Sequence, residues 1–163
     1  MHRDLKPANI LIARESQTLK LTDFGLAKRF PASSDQAHLV RMHTANIGTP
    51  RYTAPEVLEG LDEAEGVCSA AAYTEKADVY SAALIIWFLV TGQRPSCKVR
   101  ENPRARPDLG PARRRWAELA GLLERMWLHE AGARPSAGEC VLVVRGMEVR
   151  VPACGVGGGC TAQ

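Results

Sequence analysis

A chain of 163 residues is long enough for one domain with a sizeable core. Its 45% hydrophobic and 24% charged residues are the proportions of an ordinary soluble globular protein, which excludes a fibrous or wholly disordered chain. The formal charge of +3 is small and argues for no particular partner.

The opening Met1-His2-Arg3-Asp4-Leu5-Lys6 is charged at once and lacks the apolar region of a secretory signal. The longest apolar stretch, residues 82–90, falls far short of the ~20 residues that span a bilayer and suits a buried core helix. A soluble, cytoplasmic chain with no membrane partner is therefore expected. Cys68, Cys97, Cys140, Cys154 and Cys160 are odd in number, scattered and never spaced as a CxxC pair. They fit free thiols in a reducing compartment better than disulfides or a zinc site.

In chain order, Ile10-Leu11-Ile12 is an apolar run, residues 14–18 are polar and turn-like, and Leu19-Lys20-Leu21 alternates with period two. This pattern predicts a small β-hairpin. Residues 28–53 have no sustained period and are rich in Ser, Thr, Arg and His; so long a loop in a compact domain is usually functional or mobile. A helix is predicted from Lys76 to about Val90, with Thr74 as its cap, Glu75 at its positive end and Gly92 closing it. It is apolar nearly all round after Ser81, the mark of a helix at a domain's centre.

Residues 98–115 form a Pro- and Arg-rich connection. No aromatic residue interleaves with its basic residues until Trp116, so a solvated loop is expected there and not a nucleic-acid surface. Trp116, Leu119, Leu123, Met126 and Trp127 repeat at three and four, which predicts an amphipathic helix. Ser136 and Glu139 make a capping-box pattern ahead of Val141. The expected domain covers residues 1–146, and 147–163 is expected to be a Gly-rich, disordered tail.

Three short motifs carry chemistry: His2-Arg3-Asp4-Leu5-Lys6-Pro7-Ala8-Asn9, then Asp23-Phe24-Gly25, then Ala54-Pro55-Glu56. Any one of them arises easily by chance. In this order, and on these elements, the set resembles the signature of eukaryotic-type protein kinases. The run from Arg51-Tyr52 through Tyr80-Ser81, with the late Trp127 and Arg134-Pro135-Ser136, is most similar to the tyrosine-kinase-like group, whose members mostly phosphorylate serine and threonine. Phosphoryl transfer is mostly positioning and charge neutralisation: one carboxylate must accept the hydroxyl proton and other oxygens must hold magnesium.

The resemblance implies ATP and Mg2+ as cofactors and a protein substrate. It makes Asp4 the proton acceptor and Lys6 the side chain steadying the transferred phosphate. Asn9 and Asp23 would hold the metal, and Lys6, Asn9, Leu11 and Asp23 would contact the nucleotide, with Leu11, Ile85 and Leu89 under the adenine. Arg3 would pair with a phosphate on the long loop, at Thr44 first and at Ser33 or Ser34 after it, although these could equally be plain loop hydroxyls. Thr49 would lie beside Asp4. Asp78 would anchor the catalytic loop, beneath a column of His2 and Phe24 at the Phe24-Gly25 turn; it could also be a simple first-turn carboxylate. Arg134 would form a buried pair with Glu56.

There are departures from the pattern. The Gly-rich phosphate loop, strand lysine and helix glutamate of the family are expected to be missing, and the glycines of residues 155–159 follow no strand and open no helix in the sequence pattern, so they are not expected to replace that loop. Residues 60–72 resemble an insertion, Ala83 and Phe88 replace the usual glycine and glutamate, and residues 96–107 are too short for the usual helix. The expected fold is mainly α with a small β-hairpin region: a protein-kinase-like C-terminal lobe, its N-terminal lobe absent. The expected function is a protein serine/threonine kinase, present as a C-lobe fragment. The alternative is a catalytically inactive kinase-like interaction fragment.

Overall fold

In the computed structural model, the residues described are 1–16, 18–27, 51–59, 74–96 and 102–147. Ser33, Ser34, Thr44 and Thr49, the insertion at 60–72 and the Gly-rich tail lie outside them.

The N-terminal part is built around a two-stranded antiparallel hairpin, β1 (Ile10–Ala13) and β2 (Thr18–Leu21), in the register Ile10 to Leu21. A 3-10 turn at Pro7–Asn9 leads into β1, with proline supplying the fixed φ that its first position needs. At the open end of the hairpin, the Thr22 amide donates to the Asn9 carbonyl at 3.0 Å. Asn9 and Asp23 are thereby brought to the same end of the ladder.

The rest is helical: α1 (Pro55–Glu59), α2 (Lys76–Thr91), α3 (Gly110–Arg115), α4 (Ala117–Met126) and α5 (Ala137–Gly146). The core lies between α2, α3 and α4, where Tyr80, Leu84, Trp87, Ala112, Leu122, Leu123 and Met126 pack together. Burial of each large apolar side chain of this set contributes about 1.5–3 kcal/mol. At its C-terminus, α2 stops at Gly92, whose φ of 71° lets its amide reach the Phe88 carbonyl at 2.8 Å. At the N-terminus the expected cap is displaced. Glu75 occupies the cap position without a side-chain bond, while the Thr74 hydroxyl accepts the Lys76 amide at 3.3 Å.

Two expectations are corrected. The last third of the Pro- and Arg-rich connection is not loop but the helix α3. Proline in its first turn needs no amide partner there, Asp108 accepts the Gly110 amide at 2.8 Å, and Arg113, Arg114 and Arg115 complement the negative helix end. Trp116 does not belong to the buried face of α4. It sits between α3 and α4, 36% exposed, with the Arg115 guanidinium 4.6 Å from its ring centre.

The capping box of α5 forms as the pattern predicts. The Ser136 hydroxyl accepts the Glu139 amide at 3.2 Å, and the Glu139 carboxylate accepts the Ser136 amide at 2.7 Å. Among the described residues, no helix is long and apolar enough to cross a membrane.

Candidate active site

The loop that carries Asp4 hangs from the first turn of α2. One Asp78 oxygen accepts the His2 amide at 2.6 Å and the other accepts the Arg3 amide at 2.8 Å. With both oxygens on the loop, Asp78 does more than complement the helix dipole. It also holds Arg3 at a φ of 73°, a left-handed conformation that costs a non-glycine residue ~1–2 kcal/mol.

His2 is buried, and its Nε2 lies 2.9 Å from the Thr22 carbonyl. A carbonyl only accepts, so the ring proton belongs on Nε2 and Nδ1 faces the Asp4 amide at 3.4 Å. The imidazole packs on Phe24 with ring centres 4.9 Å apart and planes tilted by 53°. Phe24 itself is largely exposed. The two aromatic rings thus join the Asp4 loop to the segment following β2.

Asp4 is the meeting point of the site. Lys6 Nζ lies 2.7 Å from its Oδ2, and the Asn9 amide nitrogen donates to the same oxygen at 3.1 Å and to the Asp4 carbonyl at 2.8 Å. The Asp4 and Lys6 side chains keep 31% and 41% of their exposure, so this is a weak, solvent-screened pair that Lys6 can leave for another anion. Asn9 is buried, and because its nitrogen faces Asp4, its carbonyl oxygen remains the atom available for a hard cation.

Asp23 is exposed and adopts a φ of 62°, a second left-handed non-glycine residue in the same small region. Such outliers persist where surrounding structure fixes them and cluster at functional sites. A Cβ on Gly25 would meet Asp23 Oδ1 at 3.4 Å, an ordinary contact, so packing there does not require glycine.

Arg3 donates from Nε to the Leu26 carbonyl, tying the Asp4 loop to the turn at Phe24–Leu26. Among the residues expected under an adenine, Leu11 and Leu89 are exposed while Ile85 is buried.

Among the described residues, no group of three or more His, Cys, Asp or Glu side chains could hold a metal on protein ligands. The donor set of Asn9 and Asp23 suits magnesium instead, which accepts one or two protein oxygens when phosphate and water complete its octahedron.

Beneath the site, Arg134 lies with its side chain fully buried, and its five N–H groups are all matched. Nη1 and Nη2 reach the two Glu56 oxygens at 2.7 and 2.8 Å. The other three donors reach the carbonyls of Leu128 (2.7 Å), Lys76 (3.0 Å) and His129 (3.0 Å). Lys76 returns a bond from Nζ to the Arg134 carbonyl at 2.6 Å. This bidentate pair fixes α1 against the start of α2.

The contacts of three residues escaped sequence reasoning. Arg106 lies over one face of the Tyr80 ring at 5.2 Å, with Arg134 at 5.0 Å from the same ring. It donates to the carbonyls of Trp127 (2.6 Å), Pro103 (2.7 Å) and Ala105 (2.8 Å). Burial pulls its guanidinium below the usual value and pushes the Tyr80 phenol up. Ser81 donates to the Tyr52 carbonyl at 2.7 Å, and Arg51 donates to the Pro95 carbonyl. Both tether residues 51–54 to α2 and the loop after it. Their side chains carry no local signal in the sequence, because each acts on a backbone carbonyl many residues away.

A profile of the protein kinase domain matches residues 1–142. The serine/threonine-protein kinase STY46 of Arabidopsis thaliana is 33% identical over 174 aligned positions, covering 98% of this chain and 27% of that protein. The seven transmembrane domain-containing tyrosine-protein kinase 1 of Dictyostelium discoideum is 33% identical over 148, covering 83% and 18%. Mitogen-activated protein kinase kinase kinase 7 of Homo sapiens is 31% identical over 160, covering 88% and 22%. The chain thus spans about a quarter or less of the length of these relatives.

Proposed function

The chain belongs to the protein kinase domain family, and from that premise we propose that it holds the phosphoryl-transfer centre of a protein serine/threonine kinase, moving the ATP γ-phosphoryl onto a protein hydroxyl. The observation that carries this reading is the Asp4 carboxylate, set between Lys6 at 2.7 Å and Asn9 at 3.1 Å on a loop hung from Asp78. In this reading Asp4 accepts the proton of the attacking hydroxyl. Lys6 turns from Asp4 to the transferred phosphoryl oxygens. The Asn9 carbonyl oxygen and the Asp23 carboxylate are the oxygens offered to Mg2+, which, when bound with ATP, neutralises the charge on the phosphates. The serine/threonine assignment is supported by the printed names of relatives such as the Arabidopsis protein and by Lys6 and Thr49 in the sequence.

Transfer from labelled ATP to serine, threonine and tyrosine peptides tests the reading, with Asp4→Asn as control. Loss of about 10²-fold or more in Asp4→Asn is the expected result for a lost general base. Undiminished transfer in that variant would sink the assignment. A second reading, a kinase-like interaction fragment without catalysis, is favoured by the exposed Leu11, Ile12, Phe24 and Leu89, which offer apolar surface to a partner. Transfer by the wild-type chain excludes it.

A further inference from the structure

Arg51, just ahead of α1, and Arg94, just after α2, are two arginines that phosphoryl transfer itself leaves unused. Arg51 donates from Nη1 to the carbonyl of Pro95, which sets its guanidinium beside the residue that follows Arg94. Pro95 is fully buried, so this contact fixes the place of the loop, while Arg94 remains exposed and Arg51 half-buried. The Tyr52 phenol feels both: burial raises it, and Arg51 and Arg94 pull against that rise. Among the described residues, no carboxylate pairs with either guanidinium. Two like charges brought to one segment by the Arg51–Pro95 contact favour an anion from elsewhere.

Their position relative to Asp4 follows from α2. Asp78 holds the amides just before Asp4, and Ser81 holds the Tyr52 carbonyl. Residues three apart on a helix are neighbours on one face, about 5–6 Å between Cβ atoms. The Asp4 loop and the Arg51-Tyr52 segment therefore hang from adjacent points of one helix. An extended peptide advances ~3.3 Å per residue, so one whose hydroxyl lies at Asp4 has residues a few positions away within reach of this turn.

We propose that Arg51 and Arg94 form a specificity element that selects acceptor peptides carrying Asp or Glu within a few residues of the reacting hydroxyl. The proposal rests on the phosphoryl-transfer reading of Asp4, since that places the acceptor.

Fluorescence anisotropy of the full chain tests it, using a serine peptide flanked by glutamates and a matched peptide with glutamines. The glutamate peptide is expected to bind about tenfold tighter at low salt, the size two exposed charge contacts supply, with the gap closing as salt rises. Arg94→Glu is expected to reverse the preference and Arg51→Gln to narrow it. Equal affinities in the wild-type chain, or a preference that survives Arg94→Glu, would overturn the proposal. Because binding is read and not turnover, the two failures stay apart. A glutamate preference in a chain that transfers nothing counts against the transfer reading. Transfer to both peptides with equal kcat/KM counts against the arginine pair.

Discussion

The contrast between two ion pairs shows how differently a charge acts when it is buried. Arg134 is fully enclosed, and Glu56 matches two of its five donors. Removing that carboxylate leaves a buried guanidinium without its counter-charge, which typically costs about 3–5 kcal/mol. Glu56→Ala should therefore lower the urea midpoint sharply. Lys6→Ala breaks a pair that solvent already screens and should cost less than ~1 kcal/mol, while abolishing any role of Lys6 at the phosphate. Equal midpoints for the two variants would refute this ranking.

Asp78 presents a third case at the same scale, since one carboxylate accepts two backbone amides. Asp78→Asn turns a donor toward one of those amides. It should destabilise the Asp4 loop by about 2 kcal/mol, the worth of a charge-assisted hydrogen bond, and release the strained φ of Arg3. Protection of the His2 and Arg3 amides against hydrogen exchange is the direct readout; unchanged protection would show that Asp78 does not hold the loop.

At the scale of elements, helix ends were the most legible feature and helix beginnings in Pro-rich sequence the least. Gly92 is legible because a left-handed cap favours glycine; the space around it is open, so alanine there meets no clash and its cost is the strain of a φ of 71° on a residue with a Cβ. Gly92→Ala should destabilise by about 1–2 kcal/mol, measured by thermal unfolding, and no change would mean that the cap is dispensable.

The Ser136–Glu139 box is equally legible because its partners are three residues apart. The Ser136 amide and hydroxyl hold the Glu139 carboxylate below its usual value. A carboxylate whose folded value is depressed contributes stability above its unfolded value and loses it as pH falls through the folded one. Unfolding of the wild-type chain should therefore steepen on the acid side, below about pH 4.5, and Glu139→Gln should flatten that limb. An acid limb identical in both would contradict this. Helix α3 was illegible because proline and arginine density reads as loop until the first-turn position of Pro111 is known.

For the whole molecule, local motifs gave away the site before the fold, since Asp4, Lys6 and Asn9 lie within six residues and the hairpin returns the chain to Asp23. Asp78, Glu56 and Arg134 were legible only through resemblance; nothing local ties residues 76 or 78 positions apart. The contacts of Arg106, Ser81 and Arg51 were not legible, because backbone carbonyls, which every residue has, are their partners. The Asp4 loop hangs on α2 through the Asp78 carboxylate, while the turn at Phe24–Leu26 and the Tyr52 segment are tied to that loop and to α2 through backbone carbonyls. If the site is the proposed phosphoryl-transfer centre, an assembly of this kind sets it before a nucleotide arrives.

The most direct test of the proposed phosphoryl-transfer centre is calorimetry of the purified chain with ATP, with and without magnesium, beside the Asp23→Ala variant. Magnesium-dependent binding in the wild-type chain that disappears in Asp23→Ala is the predicted result. Binding that ignores magnesium, or that survives loss of Asp23, would contradict a metal-assisted phosphoryl-transfer centre built on Asp4, Asn9 and Asp23.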